Sequence, residues 1–92
     1  MKASEFEDKV WEIEGIRVVL RCPENHQVED YDYKNAANQT MLLTEWLNVR
    51  VLPKLKDVEV QVISGNDEQP HGRSLLRTIR ASYAKEKLST YE

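Results

Sequence analysis

The chain has 92 residues and a formal net charge of -3; 40% of its residues are hydrophobic and 32% are charged. This composition excludes a disordered chain, and the length allows one domain with one core. No apolar run approaches the ~20 residues needed to cross a bilayer, and because acids stand near the N-terminus, where a signal peptide needs an apolar run, we expect none. The single cysteine, Cys22, excludes an internal disulfide. We therefore expect a cytoplasmic protein that makes no contact with a membrane.

The segment from residue 8 to residue 22 has a pattern that predicts a β-hairpin. Glu14 and Gly15 would be the two central turn residues, with Gly15 supplying a positive φ. Before it, Ser4 and Glu7 fit a capping box, which indicates one helical turn. The predicted register pairs apolar residues on one face and mainly opposite charges on the other: Ile13 with Ile16 and Trp11 with Val18, then Glu12 with Arg17, Val10 with Val19 and Asp8 with Arg21.

The remaining elements follow from changes in hydrophobic spacing. Residues 24 to 39 are polar and aperiodic, which predicts a loop. From Thr40 the apolar residues recur every three or four positions, which predicts a helix with Asn38 or Thr40 as its N-cap; Pro53 should kink or end it. Residues 58 to 63 alternate and predict a third strand. After a loop over residues 64 to 73, Ser74 caps a last helix that runs to about Lys87.

The predicted order is therefore ββαβα in a single domain spanning residues 1 to 92. Each predicted strand has one apolar face and one largely polar face, which is typical of a sheet covered on one side only. We expect an α+β fold with two layers: a three-stranded mixed sheet with the helices on one face. The strand, helix, strand connection predicts that the third strand runs parallel to the second.

Few residues suggest a catalytic or metal-binding site. Cys22 has the spacing of an inward-facing thiol, and its pairing with His26 or His71 as nucleophile and base rests on residue type alone. One cysteine and two histidines do not have the spacing of a metal site. We expect no catalytic residue, no metal and no cofactor.

The loop over residues 65 to 74 follows a strand and precedes a helix, a position where helix N-terminal amides can bind anions. Gly72, Arg73 and Ser74 would be the contacts, whereas Asp67 and Glu68 would repel an anion. The alternative interpretation is a surface loop whose serine caps the helix.

A basic stripe runs along the last helix. Arg73, Arg77, Arg80 and Lys87 recur at intervals of four, three and seven, and His71 lies just before them. The stripe is a candidate contact for nucleic-acid phosphates or for an acidic protein partner. It also fits a solvated face whose arginines pair with acids elsewhere in the fold.

Two further surfaces are candidates for binding. Tyr31 and Tyr33 alternate with acids, and they fit either an interface or the edge of the core. Val10, Val19 and Ile63 would form an apolar strip across the open face of the sheet, which suits a homodimer or a partner.

The sequence thus predicts a small, non-catalytic protein-interaction module: an adaptor, regulator or inhibitor, of a size common among phage and mobile-element genes. The candidate contacts are the four cations of the stripe with His71, Tyr31 and Tyr33. A weak nucleic-acid-binding protein is the alternative, and a small enzyme or anion-binding domain using the 65 to 74 loop is the second. Residues 1 to 70 hold 14 acids and 8 bases, and residues 71 to 92 hold 5 bases and 2 acids. This uneven distribution of charge along the chain favours association with a partner or a second copy.

Overall fold

The computed structural model describes residues 1 to 23, 26 to 55, 58 to 65 and 69 to 90, with residues 84 to 90 described by their backbone alone. The fold is α+β, with three helices and a two-stranded antiparallel sheet in the described residues. In chain order the elements are α1 (Ala3–Glu14), β1 (Arg17–Arg21), α2 (Leu43–Trp46), a π-helical turn (Leu47–Val51), a 3-10 turn (Leu52–Lys54), β2 (Glu59–Ile63) and α3 (Leu76–Thr90).

The predicted hairpin is wrong in its first half, because the residues before Gly15 form the helix α1. The buried side chains of this helix, at positions 3, 6, 10 and 14, recur every three or four residues and include Glu14. Gly15 does adopt a positive φ, of 68°, but it caps the helix, and its N–H donates to the Trp11 carbonyl at 2.9 Å. The Ser4 and Glu7 capping box is also absent: Glu5 accepts a hydrogen bond from the Lys2 N–H at 3.0 Å instead.

The sheet therefore contains two of the three predicted strands. β1 and β2 pair antiparallel, with Arg17 opposite Ile63 and Arg21 opposite Glu59. The prediction of a parallel pair is wrong, because the connection does not cross to the start of β1: β2 begins at Glu59, opposite Arg21, at the end where the chain left β1. Val18 and Leu20 of β1 point into the core, whereas the residues between and beside them are exposed.

The predicted helix after Thr40 begins at Leu43 and changes form before Pro53. The Leu52 N–H donates to the carbonyl of Leu47, five positions back, as in a π-helix. The Leu55 N–H donates to the carbonyl of Leu52, three positions back, as in a 3-10 helix. Because Pro53 has no N–H, the helix tightens into a 3-10 turn and ends at Lys54, as its proline predicts. Asn38 makes a local turn with Thr40 and does not cap the helix.

The core lies between α1, the inner face of the sheet, α2 and the start of α3. Its largest fully buried side chains include Trp46, Tyr31, Phe6, Ile16, Leu76 and Ile79. The polar segment before α2 follows the predicted loop but also crosses this core, since Tyr31 is completely buried. Its ring packs edge-on against Phe6 at a centroid distance of 5.5 Å.

Candidate functional site

A dense polar cluster surrounds Glu14, whose side chain is completely buried. We call it the Glu14 cluster. Burying an unpaired carboxylate costs several kcal/mol, so such a group needs charged and hydrogen-bonding partners. Glu14 has both. Its carboxylate accepts hydrogen bonds from the Tyr31 hydroxyl, Ala37 N–H (2.8 Å), Trp46 Nε1 (3.2 Å), Arg50 Nη1 (2.9 Å) and Arg80 Nη2 (3.0 Å).

The two arginines of the Glu14 cluster also satisfy backbone carbonyls. Arg80 donates from Nε to the carbonyl of Glu14 at 2.7 Å and from Nη1 to that of Ala37 at 3.1 Å. Arg50 donates to the carbonyl of Asn35 at 2.8 Å. The cluster thus ties the end of α1 to the loop before α2, to the π-helical turn and to α3. Five donors on one carboxylate leave no acceptor position for a substrate, so the geometry fits a structural role.

The environment of the Glu14 cluster shifts the pKa values of Glu14 and Tyr31 in opposite directions. Burial acts to raise the pKa of Glu14, but the hydrogen bonds from Tyr31, Ala37, Trp46 and Arg50 outweigh it, and the pKa lies below its ordinary value of 4.5. Burial, together with the hydrogen bond to the Glu14 carboxylate and its negative charge, raises the pKa of Tyr31 well above its usual range. Glu14 is therefore ionised and Tyr31 neutral at neutral pH.

This lowered pKa predicts how stability depends on acid. The unfolded chain takes up a proton at Glu14 near the ordinary value of 4.5, whereas the folded protein does so only at lower pH. The stabilisation is therefore fully present above that value and is lost as the pH falls through the folded pKa. We expect the carboxyl carbon of Glu14 to titrate below pH 4.5 by NMR in the folded wild-type protein. A midpoint at or above that value would contradict the arrangement.

The Glu14 cluster changes the status of two predicted contact residues. Arg80 points into the fold, with its side chain only 22% exposed, and Tyr31 belongs to the core. Neither is free to bind a partner. Tyr33 is half-buried, and its ring lies under the guanidinium of Arg50, 4.4 Å from the ring centroid. Of the two interpretations of the tyrosine pair, the structure thus favours packing at the edge of the core.

The rest of the predicted stripe is divided. Arg73 and Arg77 are exposed, and so is His71, whose Nδ1 accepts a hydrogen bond from the Arg73 N–H at 3.1 Å. The side chain of Lys87 lies outside the described residues. With Arg80 turned inward, the described cations no longer form a continuous row along α3.

The first amides of α3, on which anion binding by the loop before it would depend, already bond to backbone carbonyls. The Leu76 N–H donates to the carbonyl of Met41 and the Arg77 N–H to that of Gln39, each at 3.0 Å. Gly72, in the loop itself, accepts from the N–H and the hydroxyl of Thr44. These bonds attach the loop to the start of α2 and occupy the first amides of α3. Asn66, Asp67 and Glu68 lie outside the described residues.

The structure gives no support to thiol or metal chemistry. Cys22 is half-buried just after β1, and within the described part of the chain its thiol makes no hydrogen bond to His26 or His71. Those same ranges contain no group of three or more histidine, cysteine, aspartate or glutamate side chains placed to hold a metal ion.

A different surface combines exposed apolar side chains with a cleft. The cleft has a volume of about 320 Å³ and lies between α1 and β1, where it is lined by Glu7, Asp8, Trp11, Arg17, Val18 and Val19. We call it the Trp11 cleft. Trp11 is 45% exposed and Val19 is 39% exposed, although both are large hydrophobic residues. Tryptophan is enriched at protein interfaces relative to the rest of the protein surface.

Trp11 is held in place by its neighbours. Tyr83 of α3 packs edge-on against it, with the ring centroids 5.2 Å apart and the planes at 88°. The Tyr83 hydroxyl accepts from the Arg17 N–H at 2.9 Å and donates to the carbonyl of Ile63, so it bridges the end of the sheet. The guanidinium of Arg17 lies over the indole, 5.5 Å from the ring centroid. The indole is thus supported by a fixed ring and covered on one face by a cation.

The floor of the Trp11 cleft does not offer a free strand edge. Glu7 accepts a hydrogen bond from the Leu20 N–H at 2.8 Å, so this backbone group of β1 bonds to α1 and not to β2. In an antiparallel pair, every second residue of a strand directs its N–H and C=O toward the partner strand. Val18, two positions before Leu20, must therefore also direct its backbone groups away from β2 and toward α1. Val18 is only 3% exposed, so very little of its backbone is open to a partner at this edge. A partner in the cleft would make its contacts through side chains.

Sequence reasoning missed both the Glu14 cluster and the Trp11 cleft. The prediction had Trp11 paired inside a hairpin and Glu14 at a turn. The available signal was the spacing of Ala3, Phe6 and Val10, which places Trp11 beside the buried stripe of a helix rather than within it. Of the predicted apolar strip, Val19 and Ile63 do lie on the outer face of the sheet, while Val10 is in the core.

Comparisons with known proteins found no matching family model, no similar curated protein and no similar solved structure. Among the described residues, no helix has the length and apolar character needed to cross a membrane.

Proposed function

We propose that this protein is a small, non-catalytic interaction module that binds a protein partner through the Trp11 cleft and the exposed residues around it. Its role would be that of an adaptor, regulator or inhibitor. The observation that carries this proposal is the exposure of Trp11 and Val19 on either side of one cleft.

The support for Trp11 favours binding over mere exposure. A rigid aromatic side chain contributes a large contact area and loses little conformational entropy when a partner covers it. Tyr83 and Arg17 fix the indole before any partner arrives. By contrast, Val49 and Leu52 are also exposed, but they lie on the short π-helical and 3-10 turns, and no aromatic contact supports them among the described residues.

The polar chemistry of the fold supports a non-catalytic role. The Glu14 cluster contains shifted pKa values, at Glu14 and Tyr31, and shifted pKa values are a common sign of an active site. Its donors and acceptors bond to one another, however, and Glu14 itself has no contact with solvent. The lone Cys22, with no thiol partner in the chain, supports the cytoplasm as the compartment.

The proposal predicts that Trp11→Ala disrupts partner binding. A protein captured on the immobilised wild-type chain would be identified, purified and titrated against the variants by calorimetry. We expect Trp11→Ala to weaken the affinity at least about tenfold, because a buried tryptophan anchor typically contributes 2 kcal/mol or more. Its fold should persist, since the side chain lies outside the core, and circular dichroism would verify this.

Val49→Ala is the matched control, because Val49 is 57% exposed and lies on another surface. We expect its affinity to stay within about twofold of wild type. If Trp11→Ala binds normally and Val49→Ala or Arg77→Ala does not, the partner uses a different surface and the proposal is wrong.

Nucleic-acid binding remains the alternative function, with less support. It relied on a continuous basic stripe, and Arg80 is engaged with Glu14. Arg73 and Arg77 are the exposed cations of that stripe in the described residues, and two cations on a protein of net charge -3 predict only weak binding.

A further inference from the structure

We propose that the segment bound at the Trp11 cleft is a basic one: an apolar stretch of a separate protein that presents a lysine or arginine to Asp8 and Glu12. This inference rests on the proposed function and adds the chemistry of the partner. Asp8, Trp11 and Glu12 stand at positions i, i+3 and i+4 of α1, so they share one face of the helix. All three are exposed.

The two carboxylates have no direct ionic partner in the described part of the chain, and Arg17, the cation of the cleft, lies over the indole of Trp11. Within the described residues, neither Asp8 nor Glu12 forms a salt bridge or a side-chain hydrogen bond. The nearest cation along the helix, Lys9, is paired with Asp30 at 2.7 Å. The last turn of α1 contains no basic residue, although the negative end of the helix dipole lies there and already disfavours the charge of Glu12. A cation from a partner would relieve this unfavourable arrangement.

The apolar part of the cleft favours a partner that brings apolar groups as well as a positive charge. A lysine or arginine side chain has an aliphatic stem that can cover the indole of Trp11 while its charged end stays in water beside the carboxylates. Arg17 already stacks on the indole, which demonstrates that the ring accepts a cation on one of its faces. Val19 extends the apolar surface on the side of β1, so flanking apolar residues of the partner have a place to pack.

A separate partner fits this surface better than a second copy. Two copies meeting through the same surface would bring Asp8 and Glu12 of each chain toward those of the other, and like charges repel. Arg17, the cation that lines the cleft, already stacks on the indole, and none of the other exposed cations of the described residues lines it: Lys2, Arg21, Lys34, Arg73 and Arg77. A copy that docked through them would leave its own Trp11 cleft open for the next chain, and such a head-to-tail contact leads to a ring or an open-ended polymer.

The test uses two short capped peptides as probes on the full chain. One alternates valine with lysine and arginine, and the other alternates valine with glutamate and aspartate. In a titration followed by NMR, we expect the basic peptide to cause saturable shifts at the Trp11 indole and at the amides of Asp8, Glu12 and Val19. The affinity should weaken as salt is raised, because screening reduces the attraction between the charges. The acidic peptide should leave these resonances unchanged.

Two double variants that change the net charge equally test whether the basic peptide binds at Asp8 and Glu12 or responds only to the negative charge of the whole protein. Asp8→Asn with Glu12→Gln should weaken binding of the basic peptide about tenfold or more. Glu29→Gln with Glu59→Gln removes two exposed carboxylates elsewhere and should have little effect. Equal effects of the two pairs, equal shifts with the acidic peptide, or no saturable shift would overturn the inference. So would shifts at the cleft that grow with protein concentration alone, since a second copy would then be the occupant.

The failure of this inference can be distinguished from the failure of the proposed function. If Trp11→Ala loses the natural partner while Asp8→Asn with Glu12→Gln retains it, the cleft is a binding site but its partner is not basic. If Trp11→Ala retains the natural partner, the proposed function is wrong.

Discussion

Replacing Glu14 by glutamine should destabilise the protein by about 3 to 5 kcal/mol, the cost typical of removing one partner from a buried ion pair. Glutamine has nearly the same shape, but it leaves the charges of Arg50 and Arg80 without their carboxylate. Its amide NH₂ would also face groups that donate hydrogen bonds. Because small domains have a total stability of about 5 to 15 kcal/mol, this loss is a substantial share of the free energy of unfolding and should be readily measurable.

Urea denaturation followed by circular dichroism measures this loss. Glu12→Gln is the matched control, since it makes the same substitution on the same helix at an exposed position, and we expect it to change the free energy of unfolding by less than about 0.5 kcal/mol. If Glu14→Gln costs less than about 1 kcal/mol, the cluster does not anchor the fold as we infer. Arg80→Gln provides a second test. It removes one of the two cations that compensate the buried Glu14 carboxylate, together with the bonds of that cation to two backbone carbonyls, so it should also be strongly destabilising.

Replacing Gly65 by alanine should cost about 3 kcal/mol, at the upper end of what overpacking a protein interior costs. An added Cβ would lie 2.5 Å from the Ser82 carbonyl carbon and 2.8 Å from Tyr83 N, and closer still to the Ser82 carbonyl oxygen. All three are backbone atoms of α3, which cannot move aside as a side chain can. The helix would have to shift away from Gly65, whose N–H donates to Ser82 Oγ at 2.9 Å.

Gly72→Ala is the control for this prediction. Its added Cβ would meet the hydroxyl of Thr44, a side chain that can rotate, so we expect a loss of only about 1 kcal/mol. Thermal unfolding monitored by circular dichroism would compare the two variants. A Gly65→Ala variant as stable as Gly72→Ala would mean that α3 packs less closely against this position. Since Tyr83 follows Ser82, a displaced α3 should also loosen the support of Trp11, which would appear as a red shift of tryptophan fluorescence.

The sequence predicts those elements whose patterns depend on local spacing. The strand over residues 59 to 63, the helical segment that ends near Pro53 and the last helix all have clear hydrophobic periods. The first helix was misassigned because one member of its buried stripe is Glu14, which interrupts the apolar period. Gly15 added to the error, since a hairpin turn and a helix C-cap both require a residue with positive φ.

The candidate sites were harder to predict because they depend on contacts between distant residues. Glutamate is rarely buried, so nothing local at position 14 indicates a buried carboxylate. Arg80 belongs to a row of cations that looks continuous along the helix, and only the packing of α3 shows that its side chain turns toward Glu14. Tyr31 lies among acids, yet its hydroxyl has a buried acceptor in Glu14, and this is what allows its ring to enter the core.

The Glu14 cluster also constrains the order in which the chain can fold. Its donors lie from 17 residues away, at Tyr31, to 66 residues away, at Arg80. Contacts between such distant positions form late, because the entropy of closing long loops must be overcome first. A nascent chain that has emerged only as far as β2 lacks Arg80 and cannot yet hold the Glu14 charge in a dry interior. Folding should therefore wait for α3, and then occur as one cooperative step after most of the chain has been synthesised.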